Sequence, residues 1–201
     1  MTKELSNFGD RAEAFLQANV IGSESVGIEG YYHVVCRDAK GNVKWEDQFP
    51  NLVNAVGKQL MLDTLLSGSA YTTVGPFLGL ISGASPTFAA ADTMTSHAGW
   101  TEFTAYTVGG SAVRGTAVFT SATSTGTTPT NVTTKAAAAL TYTITGAGGT
   151  VGGWFLVTGS GASSTLSNTS GTLYSAGAFA TAKVTTAGDT VSVTYSTTAT
   201  S

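Results

Sequence analysis

Apolar residues recur at helical spacing in one central segment of the chain. Between Trp45 and Gly68 they fall three and four positions apart, which predicts an amphipathic α-helix over about residues 54–67. Asn51 or Asn54 is expected to cap its first turn, and Gly68 to end it. We expect its apolar stripe to pack on a sheet as part of the core. The stripe consists of Val56, Leu60, Leu62, Leu65 and Leu66, with Met61 at its margin.

The segment before the helix has the alternating pattern of a β-hairpin. Residues 31–36 are β-branched and aromatic, residues 38–42 have the composition of a turn, and residues 43–48 alternate again. Pro50 ends the second strand because proline has no N–H to donate to a ladder. We expect Trp45 in this strand to pack into the core beneath the helix.

After the helix the chain consists of short strand-like runs separated by turns rich in Gly and Ser. In one of them Leu140, Tyr142 and Ile144 alternate with threonines. About eight to ten such runs, with turn signals roughly every 8–15 residues, predict a mainly β fold. We expect an antiparallel β-sandwich, jelly-roll-like, with the single helix packed on it.

The first residues have a pattern of their own. Phe8, Phe15 and Leu16 share helical spacing and predict a short helix over about residues 10–19. The three glycines of residues 21–30 predict a hinge after it. Because so short a helix is marginal alone, two interpretations stay open. This segment is either a frayed terminus or an arm that orders against a neighbouring subunit through those three side chains.

Charge supports a division of the chain into an N-terminal arm, residues 1–29, and a β-sandwich domain, residues 30–201. Charged residues make up only 10% of the chain, against about 25% in typical globular proteins. Fifteen of the 21 lie in positions 1–63. So uncharged a surface suits a protein that is partly covered by neighbours, or one built of tightly packed strands.

Two broad partner classes are not expected. The net charge of −3 gives no electrostatic basis for binding nucleic acid. No window contains about eighteen uninterrupted apolar residues, so we expect no transmembrane helix and no membrane partner.

Few residues have the chemistry of a catalytic or metal site. The loop over residues 90–99 contains Asp92 and His97, an acid and a base beside Ser96. Such sets arise by chance in a Ser-rich chain, and no Gly-x-Ser-x-Gly elbow accompanies this one. A metal site needs more ligands than these two. We therefore expect no enzyme activity, metal or cofactor, and we interpret Asp92 and His97 as interaction residues.

Several segments resemble tailed-bacteriophage virion proteins, over about residues 30–196. That family is labelled variously as head decoration, capsid cement or tail-fibre-like protein. The most specific segment is Ala91-Asp-Thr-Met-Thr-Ser-His-Ala-Gly-Trp-Thr-Glu102. Others are Gly41-Asn-Val-Lys-Trp-Glu-Asp47, Phe77-Leu-Gly-Leu-Ile81, Val151-Gly-Gly-Trp-Phe-Leu156 and Leu173-Tyr-Ser-Ala-Gly-Ala-Phe179.

The resemblance implies a non-enzymatic virion component, made in the host cytoplasm and located on the capsid exterior. It would be a β-sandwich that binds the major capsid protein, associates with copies of itself as a dimer or trimer, and stabilises the head. Two alternatives stay open. One is a tail-fibre or tail-adaptor protein. The other is a carbohydrate-binding module in which Trp100, Trp154 and exposed tyrosines stack on sugars.

Overall fold

The computed structural model describes residues 27–66, 74–119, 131–132 and 139–200. Three predicted interaction residues, Phe8, Phe15 and Leu16, lie outside the described residues, as does Gly68. The predicted arm and its short helix are therefore not part of the fold described below.

The described residues form twelve strands and one helix, in two antiparallel sheets. The predicted mainly β fold of sandwich type with a single helix is thereby confirmed. In chain order the elements are β1 (Gly27–Arg37), β2 (Val43–Pro50), β3 (Leu52–Val53), α1 (Ala55–Leu66), β4 (Phe77–Ser82), β5 (Thr101–Phe103), β6 (Tyr106–Thr107), β7 (Gly115–Thr116), β8 (Asn131–Val132), β9 (Leu140–Ile144), β10 (Gly149–Thr158), β11 (Thr172–Thr185) and β12 (Thr190–Thr200).

Sheet A has the strand order β2-β1-β12-β9-β6, with β8 beside β12, and begins with the predicted hairpin. Gly41, with a φ of 86°, occupies the left-handed position of the hairpin turn. β1 pairs with β12 over its whole length, from Gly27 opposite Thr200 to Arg37 opposite Thr190. Residues 27–30, which sequence reasoning placed in the hinge, are therefore strand. They form strand because they pair with residues 197–200 of β12, which lie far away in the sequence.

Sheet B has the order β3-β11-β10-β4-β5, with β7 beside β4. Alternate residues of its central strands point to opposite faces. Trp154 and Leu156 of β10 contact sheet A in the main core, whereas Phe155 and Val157 belong to a second apolar cluster on the outer face. Trp100, from the loop before β5, joins that second cluster. β10 is thus covered on both faces.

The helix α1 lies against the start of β11. The carbonyl oxygen of Asn54 accepts the first helical hydrogen bond from Lys58 N, which places Asn54 at the N-cap. Its side-chain amide donates to Ala89 O at 3.1 Å instead of capping the helix. At Gly57 an added Cβ would lie 2.6 Å from Tyr174 O, so helix and strand are in backbone contact there. No helix in the described ranges has the length and apolarity that spanning a membrane requires.

The prediction that the whole apolar stripe of α1 is core is wrong for its second half. Leu62, Leu65 and Leu66 are 58%, 74% and 80% exposed, while Leu60 is half-buried. Successive helical residues are rotated by about 100°, so Leu60 and Leu62 point to nearly opposite sides. The apolar residues encircle the helix, and one sheet covers only one side of it.

The prediction that Trp45 lies beneath the helix is also wrong. Its ring packs edge-on against Phe179, with centroids 5.5 Å apart, and its Nε1 donates to Val184 O at 3.4 Å. The helix contacts Tyr174, five residues earlier in β11. Trp45 and α1 therefore meet different parts of the same long strand.

A buried carboxylate organises the turn between β11 and β12. Asp189 is 2% exposed, and its Oδ2 accepts hydrogen bonds from Thr186 N and from Lys44 Nζ. Burial raises the pKa of Asp189, but these hydrogen bonds outweigh burial and hold that pKa below its ordinary value. The same bond raises the pKa of Lys44. The ionised pair therefore ties β2 to this turn.

Replacing Gly57 tests the close approach of α1 to β11. Gly57→Ala adds a methyl group 2.6 Å from Tyr174 O. We expect a loss of about 1–3 kcal/mol in the free energy of unfolding, measured with urea, despite the better helix propensity of alanine. The exposed neighbour Lys58→Ala is the matched control and should change stability by less than about 0.5 kcal/mol. A Gly57→Ala chain as stable as the wild type would contradict the backbone contact.

The Asp189 carboxylate predicts a specific acid dependence. The pKa of Asp189 in the folded chain lies below its unfolded value of about 3.9. Its contribution to the free energy of unfolding is therefore fully present above about pH 3.9, and it is lost as the pH falls through the folded pKa. Asp189→Asn should cost about 1–3 kcal/mol at pH 7, and the difference should shrink below about pH 4. Urea unfolding at several pH values measures this.

Lys44→Met is the companion variant to Asp189→Asn. Removing the ammonium group should raise the folded pKa of Asp189 and move the acid loss of stability to higher pH. An acid profile identical to that of the wild type would show that the ion pair does not set the pKa of Asp189.

Candidate interaction site

The loop over residues 83–100 crosses the outer face of sheet B and contains both predicted interaction residues of the domain. Asp92 closes a turn within it, accepting a hydrogen bond from Ala89 N at 3.0 Å while its own N donates to Ala89 O. Thr93 and Ser96 form a second turn through two backbone hydrogen bonds. The Asp92 carboxylate therefore holds the shape of the loop.

His97 is held against an aromatic ring. Its imidazole stacks on Trp100 with ring centroids 3.8 Å apart and planes 18° apart. Its Nδ1 lies 2.9 Å from Thr93 O, and because a carbonyl only accepts, Nδ1 carries the proton and donates. The hydrogen bonds of Asp92 and His97 go to different backbone atoms. The structure does not bring these two side chains together as an acid–base pair.

Trp100 fixes this loop to the sheet. It is 5% exposed and packs on Phe155 with ring centroids 5.1 Å apart. Its Nε1 has no hydrogen-bond partner among the described residues. Trp154 is completely buried in the main core. Neither indole has a free face for a sugar ring, so these two tryptophans give no support to a carbohydrate-binding module, whereas Tyr31 is 48% exposed.

Beneath the loop lies a buried ion pair that sequence reasoning missed. Arg114 and Glu102 have side chains only 1% and 8% exposed. The pair is bidentate: Arg114 Nε donates to Glu102 Oε1 at 2.9 Å, and Nη2 donates to Oε2 at 2.8 Å. Arg114 also donates to Ser163 O and Asn168 O, and Glu102 Oε2 accepts from Ser167 N. The pair thus joins β5, the segment before β7 and the segment between β10 and β11.

The surroundings of the pair satisfy its desolvated charges. The Arg114 guanidinium lies 5.0 Å from the centroid of the Phe155 ring, which adds a cation–π contact. Gly79 beneath that ring has no side chain, and a Cβ there would lie 2.4 Å from Phe155 atoms. A buried pair needs this set of extra hydrogen bonds to offset the loss of hydration. In the sequence, this pair is marked only by an isolated Arg and an isolated Glu in a stretch with almost no other charged residues.

A cavity of about 190 Å³ opens between the loop and this ion pair. Its volume suits a single side chain better than an organic substrate. Four of the five donors of Arg114 are already engaged, so this cavity has the character of a packing site. It is lined by Met94, His97, Trp100, Thr101, Glu102, Arg114, Ser167, Asn168 and Thr169.

A second concave surface lies beside α1, and we call it the helix groove. It has two parts, of about 300 and 140 Å³, which share Thr158 and Tyr174. The helix side is formed by Leu60, Met61, Thr64 and Leu65. The strand side is formed by Pro76, Phe119, Leu156, Tyr195 and Thr197. Leu65, which is 74% exposed, lies at its edge, and most of the groove lining is apolar.

Comparison with protein-family models, with curated proteins and with solved structures finds no match to this chain. Within the described residues, no three His, Cys, Asp or Glu side chains come together as metal ligands. The interpretation of both concave surfaces therefore rests on their geometry and on the sequence resemblance.

The buried ion pair predicts a large penalty for removing one partner. Arg114→Met leaves the Glu102 carboxylate buried without its cation, and we expect a loss of about 3–5 kcal/mol in the free energy of unfolding. The double variant with Glu102→Leu should recover part of that loss, because no charge is then left unpaired. Urea denaturation measures all three chains.

The exposed pair of His33 and Glu46 provides the control. Its partners are 39% and 56% exposed and 2.7 Å apart. Glu46→Gln should cost less than about 1 kcal/mol. If Arg114→Met lowered the free energy of unfolding by as little as Glu46→Gln does, the buried pair would not be the contact that fixes the loop.

Proposed function

We propose that this chain is a non-enzymatic structural protein of tailed-bacteriophage virions, a decoration or cement protein that binds the outer surface of the capsid. Its partners are the major capsid protein and copies of itself in a dimer or trimer. The resemblance over about residues 30–196 is the starting point of this proposal. The fold is compatible with it, because a two-sheet β domain offers broad surfaces for repeated contacts.

The observation that carries the proposal is the role of residues 91–102, the most specific part of the resemblance. Asp92 closes a turn, Trp100 packs into the outer cluster, and Glu102 pairs with Arg114. Each distinctive side chain of the segment is thus used to fix a loop to the sandwich. Such a role suits a structural protein better than a catalyst, whose distinctive residues converge on a reacting atom.

The character of the surface supports the same conclusion. The outward face of β9 and β12 in sheet A is polar without being charged; Thr141 and Ser192, for example, share a cross-strand hydrogen bond of 3.0 Å. Charge is concentrated at the tip of the β1–β2 hairpin, where Arg37 and Lys40 are exposed. The hairpin tip is our choice for contact with the capsid shell. Many identical weak contacts suffice there, because the shell is multivalent.

Imaging of labelled virions tests this proposal. Antibodies against the folded chain, applied to virions of the phage that encodes it, should decorate the head at regular intervals and leave the tail unlabelled. Label confined to the tail would overturn the decoration role in favour of a fibre or adaptor. Absence of label from intact particles that are shown to contain the chain would place it inside and also overturn the proposal.

A matched pair of variants tests the hairpin contact. Arg37→Glu combined with Lys40→Glu should reduce co-sedimentation with expanded capsids at least tenfold, because both basic charges at the tip are reversed. Lys58→Glu changes one exposed charge on α1, away from the hairpin, and should bind as the wild type does. Equal binding by both variants would exclude the tip as the capsid contact.

A further inference from the structure

The exposed apolar side of α1 borders the helix groove at Leu65, and nothing in the described chain covers it. Leu62, Leu65 and Leu66 lie on the outer side of α1 at spacings of three and four, so they form one continuous strip. They are more than half exposed. An apolar strip beside an apolar groove is typical of a surface that receives a helix or an apolar segment.

The chain itself supplies a segment of matching chemistry. Phe8, Phe15 and Leu16 recur at helical spacing over about two turns, or about 12 Å of helix. α1 is 12 residues long, or about 18 Å. The N-terminal apolar residues therefore fit within the length of α1. The leucine strip has no apolar partner in the described part of the chain.

The start of β1 lies at the groove. Thr197, which lines the strand side of the groove, donates through Oγ1 to Glu29 O at 3.1 Å. Gly30, the next residue, packs on Asn51 and on the Tyr195 hydroxyl. The residues that precede Gly27 therefore join the sandwich at the same end as α1. Twenty-six residues span up to about 86 Å when extended, far more than the reach needed.

The charge of residues 1–26 is also complementary to the charge on the exposed side of α1. Residues 1–26 contain four acidic and two basic side chains. Lys58 lies one helical turn before Leu62 on the exposed side of α1 and makes no ion pair among the described residues. An acidic amphipathic segment laid along the leucine strip would bring a carboxylate to this ammonium group.

We propose that the N-terminal segment carrying Phe8, Phe15 and Leu16 packs on the exposed leucine strip of α1 in its own chain, along the edge of the helix groove that Leu65 forms. Attachment a short distance away gives this segment a high effective concentration at the groove, which favours its own chain over a second copy. The proposal does not depend on the virion role. It concerns the free protein, so the two proposals fail independently.

Disulfide trapping tests the contact in the full-length chain. Phe15→Cys with Leu65→Cys should form a disulfide within one chain under mild oxidation. Phe15→Cys with Val184→Cys is the matched control, because Val184 is 64% exposed but lies ten residues further along β11 from Tyr174. The native Cys36 is buried, and burial raises its pKa to about 11, so it stays out of the reaction.

The three results of this experiment are distinct on a non-reducing gel. A monomeric disulfide that forms with position 65 and at least tenfold less with position 184 is the expected result. A disulfide found only between two copies makes a second copy the occupant and overturns the proposal. Equal trapping at both positions, or none, overturns it as well.

A thermodynamic cycle on the same residues tests it without cysteines. Phe15→Ser and Leu65→Ser should each lower the urea midpoint of unfolding, and the double variant should lower it no further than either single variant. Leu65→Ser alters an exposed side chain, so the chain keeps its fold. In the control cycle with Val184→Ser, the effects should add. Additive effects for Phe15 and Leu65 would contradict the contact.

Discussion

The requirement that both faces of β10 be covered explains how this protein is arranged. Trp154 and Leu156 face sheet A, whereas Phe155 and Val157 face outward and need a second cover. The cover comes from an irregular loop rather than from another sheet, with Trp100 as its main contact. Because an irregular loop has few backbone hydrogen bonds of its own, its position depends on specific side-chain contacts.

Those contacts converge on the ion pair of Arg114 and Glu102. A pair this deeply buried is expensive to desolvate, and it is stable only with further hydrogen bonds to its remaining donors and acceptors. Here those bonds come from the backbone of Ser163, Ser167 and Asn168. The pair therefore selects one arrangement of three segments that β pairing alone leaves undetermined.

Local periodicity predicted the elements well, and long-range contacts explain what it missed. The bounds of α1 and the β1–β2 hairpin follow from spacing alone. Spacing also showed that α1 is apolar, but not which side meets the sheet, because that depends on Gly57 facing Tyr174. Arg114 and Glu102 are twelve residues apart without periodicity. Only their isolation in a nearly uncharged stretch marked them.

The exposed side of α1 has a consequence for stability as well as for contacts. The groove beside it shares Tyr195 and Thr197 with β12, and β12 pairs with β1 along the full length of both strands. An occupant that extends from the leucine strip across the groove would also touch the outer end of that pairing. A partner that binds only the folded chain stabilises it in proportion to the logarithm of its concentration. A covalently attached segment has a fixed and high effective concentration, so it would stabilise this end of the sandwich at any dilution.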